Sequence, residues 1–284
     1  MFTLIADCGS TKTEWAILRP DTPGEPPITF RTTGFNAAVT PPEEIANILA
    51  SEVTPRLADI KVSRICFYGA GCIGGDVDER LRGLLSQAIP GAEIEIAGDL
   101  LGAARALFGN RPGIACILGT GSNCGVYDGR EITLNTPPMG YILGDEGSGA
   151  VLGRKLINVI FKHPGMLPYD IIEDFNHTYN LSKGDIIERV YRQPASNRFL
   201  ASFCPFIKKH ITHPVLHNMV ATSFEEFLSA SLPADLLQSS TLPIGFVGSI
   251  AYHFSDILTA VCTRHGLTCV SILSAPLPAL ISQI

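Results

Sequence analysis

Apolar and polar residues follow two recurring patterns along the chain. Short apolar runs bounded by turn-forming residues predict buried strands, and apolar residues spaced three or four positions apart predict amphipathic helices. Near the start, between Leu4 and Leu18, two apolar runs flank a small polar segment from Asp7 to Thr13. This pattern predicts two buried strands joined by a short loop.

The polar segment combines chemical groups that suit a phosphate chain. Its carboxylate, Asp7, stands at the predicted strand end, where it is placed to hold a hydrated Mg²⁺ ion. Backbone N–H groups near Gly9, several hydroxyl groups and an ammonium group can bind phosphate oxygens. The hydroxyl and ammonium groups belong to Ser10, Thr11, Lys12 and Thr13. The alternative interpretation is a hairpin turn in which Asp7 and Ser10 bond only to local backbone.

The next segment predicts a third strand and a helix. Ile28 to Thr33 has the composition of a strand, and Thr40 with Glu43 forms a capping-box pattern at a helix start. The helix should end before Pro55, because proline disrupts a helix interior.

A glycine-rich segment, Gly69 to Gly75, follows the predicted strand Arg64 to Tyr68. Open α/β sheets bind ligands at the carboxyl ends of their strands, which makes this segment a candidate ligand site. The alternative is a flexible connection to the amphipathic helix predicted at Val77 to Ile89.

Asp99 stands at the junction of another strand and helix. Ala92 to Asp99 alternates between apolar and polar positions, and the helical pattern Leu100 to Phe108 follows directly. On spacing alone, the favoured interpretation of Asp99 is the N-cap of that helix.

The second half of the chain repeats the architecture of the first. After a predicted boundary at Gly109 to Gly113, the segment Ile114 to Tyr127 again gives a buried strand, a loop of glycines and hydroxyls, and a second strand. Asp128 to Arg130 then predicts a hairpin turn. We therefore predict two domains, residues 1–110 and 111–284.

The segment Pro137 to Gly149 is rich in small residues and leads into a helix predicted at Ala150 to Phe161. Its glycines suggest close approach of the backbone to a ligand. Asp145 and Glu146 near the helix start are alternatively helix caps.

The remaining segments predict a helical region of about residues 162–243 and a short strand after it. Within Leu242 to Phe254, that strand enters Gly248 and Ser249 and then a helix. A glycine at such a turn lets a flat ligand lie against the backbone.

Composition narrows the class of protein. The chain has 284 residues, of which 46% are hydrophobic and 17% charged, and its net charge is −6. No Lys/Arg run appears, so we expect no nucleic-acid partner. No apolar run reaches the ~18 residues that span a bilayer, and no signal peptide is recognisable, so we expect no membrane association. The eight cysteines form no C-x-x-C pair, which suits the reduced thiols of a cytoplasmic protein.

Three segments together resemble the nucleotide motifs of the sugar-kinase, actin and heat-shock-chaperone superfamily. Asp7 to Thr13 is similar to the first phosphate loop, Leu118 to Asn123 to the second, and Gly245 to Ser249 to the adenosine loop. Within this superfamily the runs G-T-G-S-N-C, from Gly119, and G-D-E-G-S-G, from Gly144, resemble the N-acetylglucosamine kinase branch of the benzoyl-CoA-reductase-activator type ATPases.

The resemblance implies an α/β fold with two actin-like (ribonuclease H-like) domains. Each domain would be a mixed sheet flanked by helices, with a cleft between the two. The first phosphate loop and the sugar contacts would lie in the first domain. The second phosphate loop, the adenosine loop and a helical insert would lie in the second, with the last segment packing back on the first domain.

The resemblance also implies roles for individual residues. Asp99 would be the catalytic aspartate, and Asp7 would hold Mg²⁺ through water. The residues expected to bind ATP are Asp7, Gly9, Ser10, Thr11, Lys12, Gly119, Thr120, Gly121, Ser122, Gly248 and Ser249. The residues expected to bind the sugar are Asn36, Asp99, Thr120, Gly121, Met139, Gly140 and Asp145. Asn36 is followed by Ala37 and Ala38 where the animal enzymes carry histidine, so the sugar-contact pattern is incomplete.

The implied function is transfer of the γ-phosphate of ATP, with Mg²⁺, to a hydroxyl of N-acetylglucosamine or a related amino sugar, with the 6-OH as acceptor. We expect a cytoplasmic homodimer whose partners are ATP and the sugar. The first alternative is an ATPase that activates a CoA-dependent dehydratase or reductase, which would need clustered thiolates. The second alternative is a non-catalytic sensor of nucleotide or sugar.

Overall fold

The computed structural model describes residues 2–19, 26–58 and 60–283. The chain divides into two compact units. Unit 1 comprises Met1–Arg111 and Ala275–Ile284, and unit 2 comprises Pro112–Ser274.

Strands and helices are numbered in chain order. The strands are β1 (Phe2–Cys8), β2 (Lys12–Leu18), β3 (Ile28–Thr33), β4 (Val62–Gly69), β5 (Glu93–Gly98), β6 (Gly113–Leu118), β7 (Ser122–Tyr127), β8 (Ile132–Asn135), β9 (Ile244–Val247) and β10 (Cys269–Leu273). The helices are α1 (Pro42–Ile48), α2 (Gly75–Ala88), α3 (Asp99–Phe108), α4 (Gly140–Leu143), α5 (Gly149–Lys162), α6 (Tyr169–Tyr179), α7 (Lys183–Tyr191), α8 (Ser196–Ala201), α9 (Cys204–Lys209), α10 (Pro214–Ser231), α11 (Ala234–Ser239), α12 (Ser249–His253), α13 (Ser255–Arg264) and α14 (Leu277–Ile281).

Unit 1 is built on a five-stranded mixed sheet in the order β3-β2-β1-β4-β5. Strands β1, β2 and β3 pair antiparallel, whereas β1, β4 and β5 pair parallel. The centre of β1 is buried completely, because Leu4, Ile5 and Ala6 are each 0% exposed. A strand buried on both faces needs such a continuous apolar run.

Helices cover the sheet of unit 1, and α14 returns to it from the end of the chain. α14 packs on α3, β1 and β2. Trp15, Phe35 and Phe67 form the aromatic centre of the core, with ring centroids of neighbouring pairs about 6 Å apart.

The predicted start of α1 is wrong by one residue, whereas the α-helix ends at Ile48, before Pro55, as predicted. Pro41, not Thr40, is the N-cap residue, and Pro42 begins the helix. The chain also continues beyond α1 as a π-helical turn, Leu49–Val53, and a 3₁₀ turn, Thr54–Leu57, which contains Pro55. Proline is tolerated there because the first turn of a helix does not need its N–H group.

Unit 2 repeats the sheet topology of unit 1. Its order is β10-β9-β6-β7-β8. As in unit 1, the first three strands along the chain, β6, β7 and β8, pair antiparallel, and the two later strands, β9 and β10, pair parallel. The predicted duplication of architecture, with two mixed sheets flanked by helices, is confirmed.

Helices occupy most of the region between β8 and β9. Ser182 and Asp185 form a capping box at the start of α7. The aromatic rings of Phe175, Phe203 and Phe206 pack together beneath these helices. Within the described part of the chain, no helix is long and apolar enough to cross a membrane.

Candidate active site

The first loop, between β1 and β2, is fixed by hydrogen bonds and by a close contact with Gly34. Gly9 N–H donates to Lys12 O at 3.0 Å, and Gly34 N–H donates to Thr11 O at 3.2 Å. A Cβ atom on Gly34 would lie 2.1 Å from Gly9 O and 2.3 Å from Lys12 N. Only a glycine allows this approach, so the end of β3 determines the shape of the loop.

Lys12 is paired within β2. Its Nζ lies 2.7 Å from Glu14 Oε1, and Arg31 Nη2 lies 2.8 Å from the same oxygen. The Lys12 side chain is 53% exposed. The ammonium is therefore held beside the loop by a carboxylate at the sheet surface.

Asp7 and Asp99 both lie at the carboxyl edge of the sheet in unit 1. Asp7 is near the end of β1 and Asp99 directly follows β5, with β4 between them. Asp99 is the first residue of α3, and its Oδ1 accepts the N–H of Leu100 at 2.8 Å. The N-cap interpretation is therefore wrong by one position, because Gly98 occupies the N-cap.

Burial makes both carboxyl groups unusual acids, and nearby negative charge adds to the effect at Asp7. Burial raises the pKa of Asp7 to about 7, with further contributions from the charges of Asp99 and Glu14, while Lys12 opposes the rise. Burial likewise raises the pKa of Asp99. Ionising both carboxyl groups is costly, and a cation bound near them would stabilise their ionised forms.

Replacing Asp7 with Asn should change how stability depends on pH. The pKa of Asp7 is about 7 in the folded chain and about 3.9 in an unfolded one. Between these values the folded chain holds a proton on Asp7 that the unfolded chain has lost, so the free energy of unfolding falls as pH rises through this range. In metal-free buffer with a chelator, we expect Asp7→Asn to melt a few degrees above the wild type at pH 8 and close to it at pH 4.5. Differential scanning calorimetry at both pH values measures this. An equal difference at the two values would contradict it.

Asn36 is held in a tight turn that follows β3. Its N–H donates to Thr40 Oγ1 at 3.0 Å, and its Oδ1 accepts the N–H of Ala38 at 3.0 Å. A Cβ on Gly71 would lie 2.1 Å from Asn36 Oδ1, and Gly71 has a φ of +76°. Arg80 Nη2 donates to the carbonyl of Ala37 at 2.8 Å. The glycine-rich segment after β4 thus packs directly on the predicted sugar contact.

The second loop, between β6 and β7, is held by the start of α5. Gly119 N–H donates to Gly121 O at 2.9 Å within the loop. From α5, Gly149 N–H donates to Gly119 O at 2.8 Å and Ala150 N–H donates to Thr120 O at 3.1 Å. Ser122 begins β7 directly after the loop.

The predicted adenosine loop touches the second phosphate loop. Gly248 lies between β9 and α12 with a φ of +123°, and a Cβ on it would lie 2.3 Å from Leu118 O. Ser249 is exposed and begins α12. Unit 2 therefore brings Gly248 against Leu118 and Gly119, at the start of the second loop.

Asp145 also faces the second loop. Its Oδ1 accepts the N–H of Ser122 at 3.3 Å. Burial raises the pKa of Asp145, and the Ser122 bond opposes the rise. The alternative interpretation of Asp145 and Glu146 as helix caps is wrong, because Ser148 is the N-cap and its Oγ accepts the N–H of Val151.

A cavity of about 150 Å³ lies beside Asp145 in unit 2. Met139, one of the predicted sugar contacts, lines it together with Ser122 and Asp145. Gly140 begins the short helix α4 directly after Met139. The other lining residues are Asn123, Cys124, Thr136, Pro137, Pro138, Leu143, Gly144, Glu146, Ala230 and Ser231.

Gly34 and Arg80 shape the site although the sequence-based prediction did not include them, and Asn123 was predicted only as the last residue of the second phosphate loop. Asn123 Oδ1 accepts a hydrogen bond from Asn135 Nδ2 at 2.8 Å, which fixes the Asn123 side-chain amide at the cavity wall. Gly34 could have been identified from the sequence, because it stands at the end of a predicted strand. No sequence signal distinguishes Arg80 from Arg82, the other arginine of α2.

An iron–sulfur ATPase would need clustered thiolates, and the cysteines that lie near one another in the sequence are buried. Cys66, Cys72, Cys116 and Cys124 are all buried, and the Sγ atoms of the last two lie 3.3 Å apart across β6 and β7. Among the residues that the structure describes, no group of three or more His, Cys, Asp or Glu side chains is arranged to hold a metal ion.

Comparison of the sequence with protein-family models and with curated proteins finds no match. Solved structures do match. A candidate N-acetylglucosamine kinase from Porphyromonas gingivalis is 44% identical, with 99% of this chain and 98% of that chain covered and a TM-score of 0.92.

More distant structures share the fold. A candidate N-acetylglucosamine kinase from Chromobacterium violaceum has 18% identity and a TM-score of 0.74, over 100% of this chain and 99% of that one. A candidate N-acetylmannosamine kinase from Listeria monocytogenes has 16% identity and a TM-score of 0.54, over 100% and 98% of the two chains. The predicted actin-like fold is confirmed. Given the identity and full coverage of the first match, the chain belongs to the N-acetylglucosamine kinase family of actin-like sugar kinases.

Proposed function

We propose that this protein is a sugar kinase that transfers the γ-phosphate of ATP to a hydroxyl, the 6-OH, of N-acetylglucosamine or a related amino sugar. The observation that carries the proposal is that Asp7 and Asp99 lie at the same carboxyl edge of the sheet in unit 1, where the glycine- and hydroxyl-containing loop joins β1 to β2. Family membership agrees with this activity.

Both loops would bind the phosphates of ATP. In unit 1 the phosphate ligands are the backbone and side chains of Gly9, Ser10, Thr11 and Lys12. In unit 2 they are those of Gly119, Thr120, Gly121 and Ser122, with Gly248 and Ser249 at the adenosine. Backbone N–H groups fixed in advance cost little reorganisation when phosphate binds. Lys12 forms an ion pair with Glu14, so its ammonium would have to leave that carboxylate to reach a phosphate.

Mg²⁺ would arrive with ATP and neutralise charge on the phosphates. Asp7 would hold it through a water molecule. The chain's residues fit this role, because the raised pKa of Asp7 reflects burial and nearby negative charge that a divalent cation would offset.

Asp99 would orient the acceptor hydroxyl and take its proton. Phosphoryl transfer depends mainly on positioning and charge neutralisation, so the proton can move late in the reaction. The helix position of Asp99 and its bond to Leu100 N–H hold the carboxylate in one orientation.

Asn36 and Asp145 would fix the sugar ring, with Thr120, Gly121, Met139 and Gly140 around it. The Oδ1 of Asn36 is engaged by Ala38 N–H, so the amide nitrogen would be the atom that donates to a sugar oxygen. The cavity beside Asp145 combines proline and methionine carbon atoms with the Asn123 amide, a lining that suits an acetamido group.

A coupled ADP-release assay over a panel of amino sugars and plain hexoses tests the proposal. We expect N-acetylglucosamine, or a close relative with the acetamido group, to stimulate ADP release most. Plain hexoses should be poorer substrates, because they leave the amide-recognising groups unpaired. A panel in which no sugar stimulates ADP release would contradict the proposal.

A further inference from the structure

Asp145 has a backbone conformation that aspartate rarely adopts. Its φ is +56°, in the left-handed region that favours glycine. Such a conformation is strained for a residue other than glycine and persists where surrounding contacts impose it. The contacts of Asp145 therefore indicate what the conformation achieves.

The Asp145 side chain is directed at the second phosphate loop. Its Oδ1 accepts the N–H of Ser122, and its Oδ2 lies 3.0 Å from the position that a Cβ on Gly121 would occupy. The carbonyl of Asp145 accepts the N–H of Ser148, the cap of α5, at 3.0 Å. Asp145 thus connects the loop with the start of α5.

α5 contacts the same loop through its backbone. The N–H groups of Gly149 and Ala150 bind the carbonyls of Gly119 and Thr120. These backbone bonds fix the first part of the loop, whereas the Asp145 carboxylate fixes its end at Ser122. A substitution at Asp145 removes that restraint and leaves the backbone bonds in place.

We infer that Asp145 is a positioning residue for the second phosphate loop, in addition to being a sugar contact. The role of Asp145 as a sugar contact rests on the proposed function. Its role in positioning the loop is supported by the contacts within unit 2. One carboxylate would then serve both ligands. Since linkage is reciprocal, sugar and nucleotide would change each other's affinity by the same factor.

Nucleotide binding without sugar tests the positioning role, using Asp145→Ala, Asp145→Gly and Asp145→Asn. The probe is the ATP analogue AMP-PNP with Mg²⁺, measured by isothermal titration calorimetry. Asn keeps a side-chain oxygen acceptor and tolerates the left-handed conformation. Gly keeps the conformation but loses the acceptor, and it also serves if Asp145→Ala fails to fold.

We expect the Ala and Gly variants to bind AMP-PNP about 5-fold more weakly, the effect of losing one hydrogen bond, and the Asn variant to bind within about 2-fold of the wild type. A residue that contacts only sugar would leave all three affinities unchanged, and that result would overturn the inference. Equal weakening in all three variants would also overturn it, because Asn retains the acceptor. A wild type that binds AMP-PNP without any sugar-stimulated ADP release would instead contradict the proposed function.

Discussion

Asp99→Asn should reduce turnover by at least ~10²-fold while AMP-PNP binding stays near that of the wild type. Asn cannot accept the proton of the sugar hydroxyl. It still offers an oxygen to the N–H of Leu100, which Asp99 Oδ1 accepts at 2.8 Å, so the start of α3 should remain intact. Steady-state kinetics gives the turnover number, and calorimetric titration with AMP-PNP gives the nucleotide affinity.

Asp256→Asn is the matched control for this variant. Asp256 is an exposed residue in the first turn of α13, so the substitution makes the same chemical change at another helix start. We expect its turnover to stay within about 2-fold of the wild type, as usual for an exposed site. Near-normal turnover in Asp99→Asn would show that Asp99 is not the proton acceptor.

Gly34→Ala should disrupt unit 1 and the first phosphate loop together. The new Cβ would meet Gly9 O at 2.1 Å and Lys12 N at 2.3 Å, and both are backbone atoms that cannot rotate away. We expect unfolding free energy to fall by about 2–3 kcal/mol and any folded protein to bind AMP-PNP at least ~10-fold more weakly. Chemical denaturation and calorimetric titration measure the two effects.

Gly83→Ala separates the steric effect from the loss of a glycine. Gly83 lies within α2, and a Cβ there would have nothing within 4 Å. Alanine at this position should stabilise the helix by up to about 1 kcal/mol. If Gly34→Ala were as stable and bound AMP-PNP as tightly as Gly83→Ala, β3 would not shape the loop as described.

The strand pattern of the chain was predictable because the central strands are buried on both faces. The run around Leu4 to Ala6 and the one at Ile114 to Leu118 are continuous apolar segments, and each leads into a loop of small polar residues. The shared topology of the two sheets follows from this repeated order of strands and loops.

The tight glycine contacts were not predictable because they join residues far apart in the sequence. Gly34 meets Gly9, and Gly71 meets Asn36, through pairings that only the assembled sheet creates. A glycine in a turn and a glycine under a neighbouring backbone look the same in a sequence.

Helix caps were misassigned where a polar residue near a helix start bonds outside the helix instead of capping it. Thr40 has the residue type of a cap, yet its hydroxyl accepts the N–H of Asn36 and helps to form the sugar-contact turn. Near α5, Ser148 takes the cap, and Asp145 turns to the second loop instead. In both places local propensity gave way to contacts that shape the candidate site.

Phosphorus and carbon NMR of a reaction containing the protein, Mg²⁺, ATP and N-acetylglucosamine tests the central claim most directly. The proposed kinase should convert ATP to ADP and a sugar monophosphate in equal amounts, with the phosphorus coupled to carbon 6 of the sugar. Asp99→Asn under the same conditions should give almost none of this product. ATP hydrolysis to inorganic phosphate without any sugar phosphate would contradict the claim.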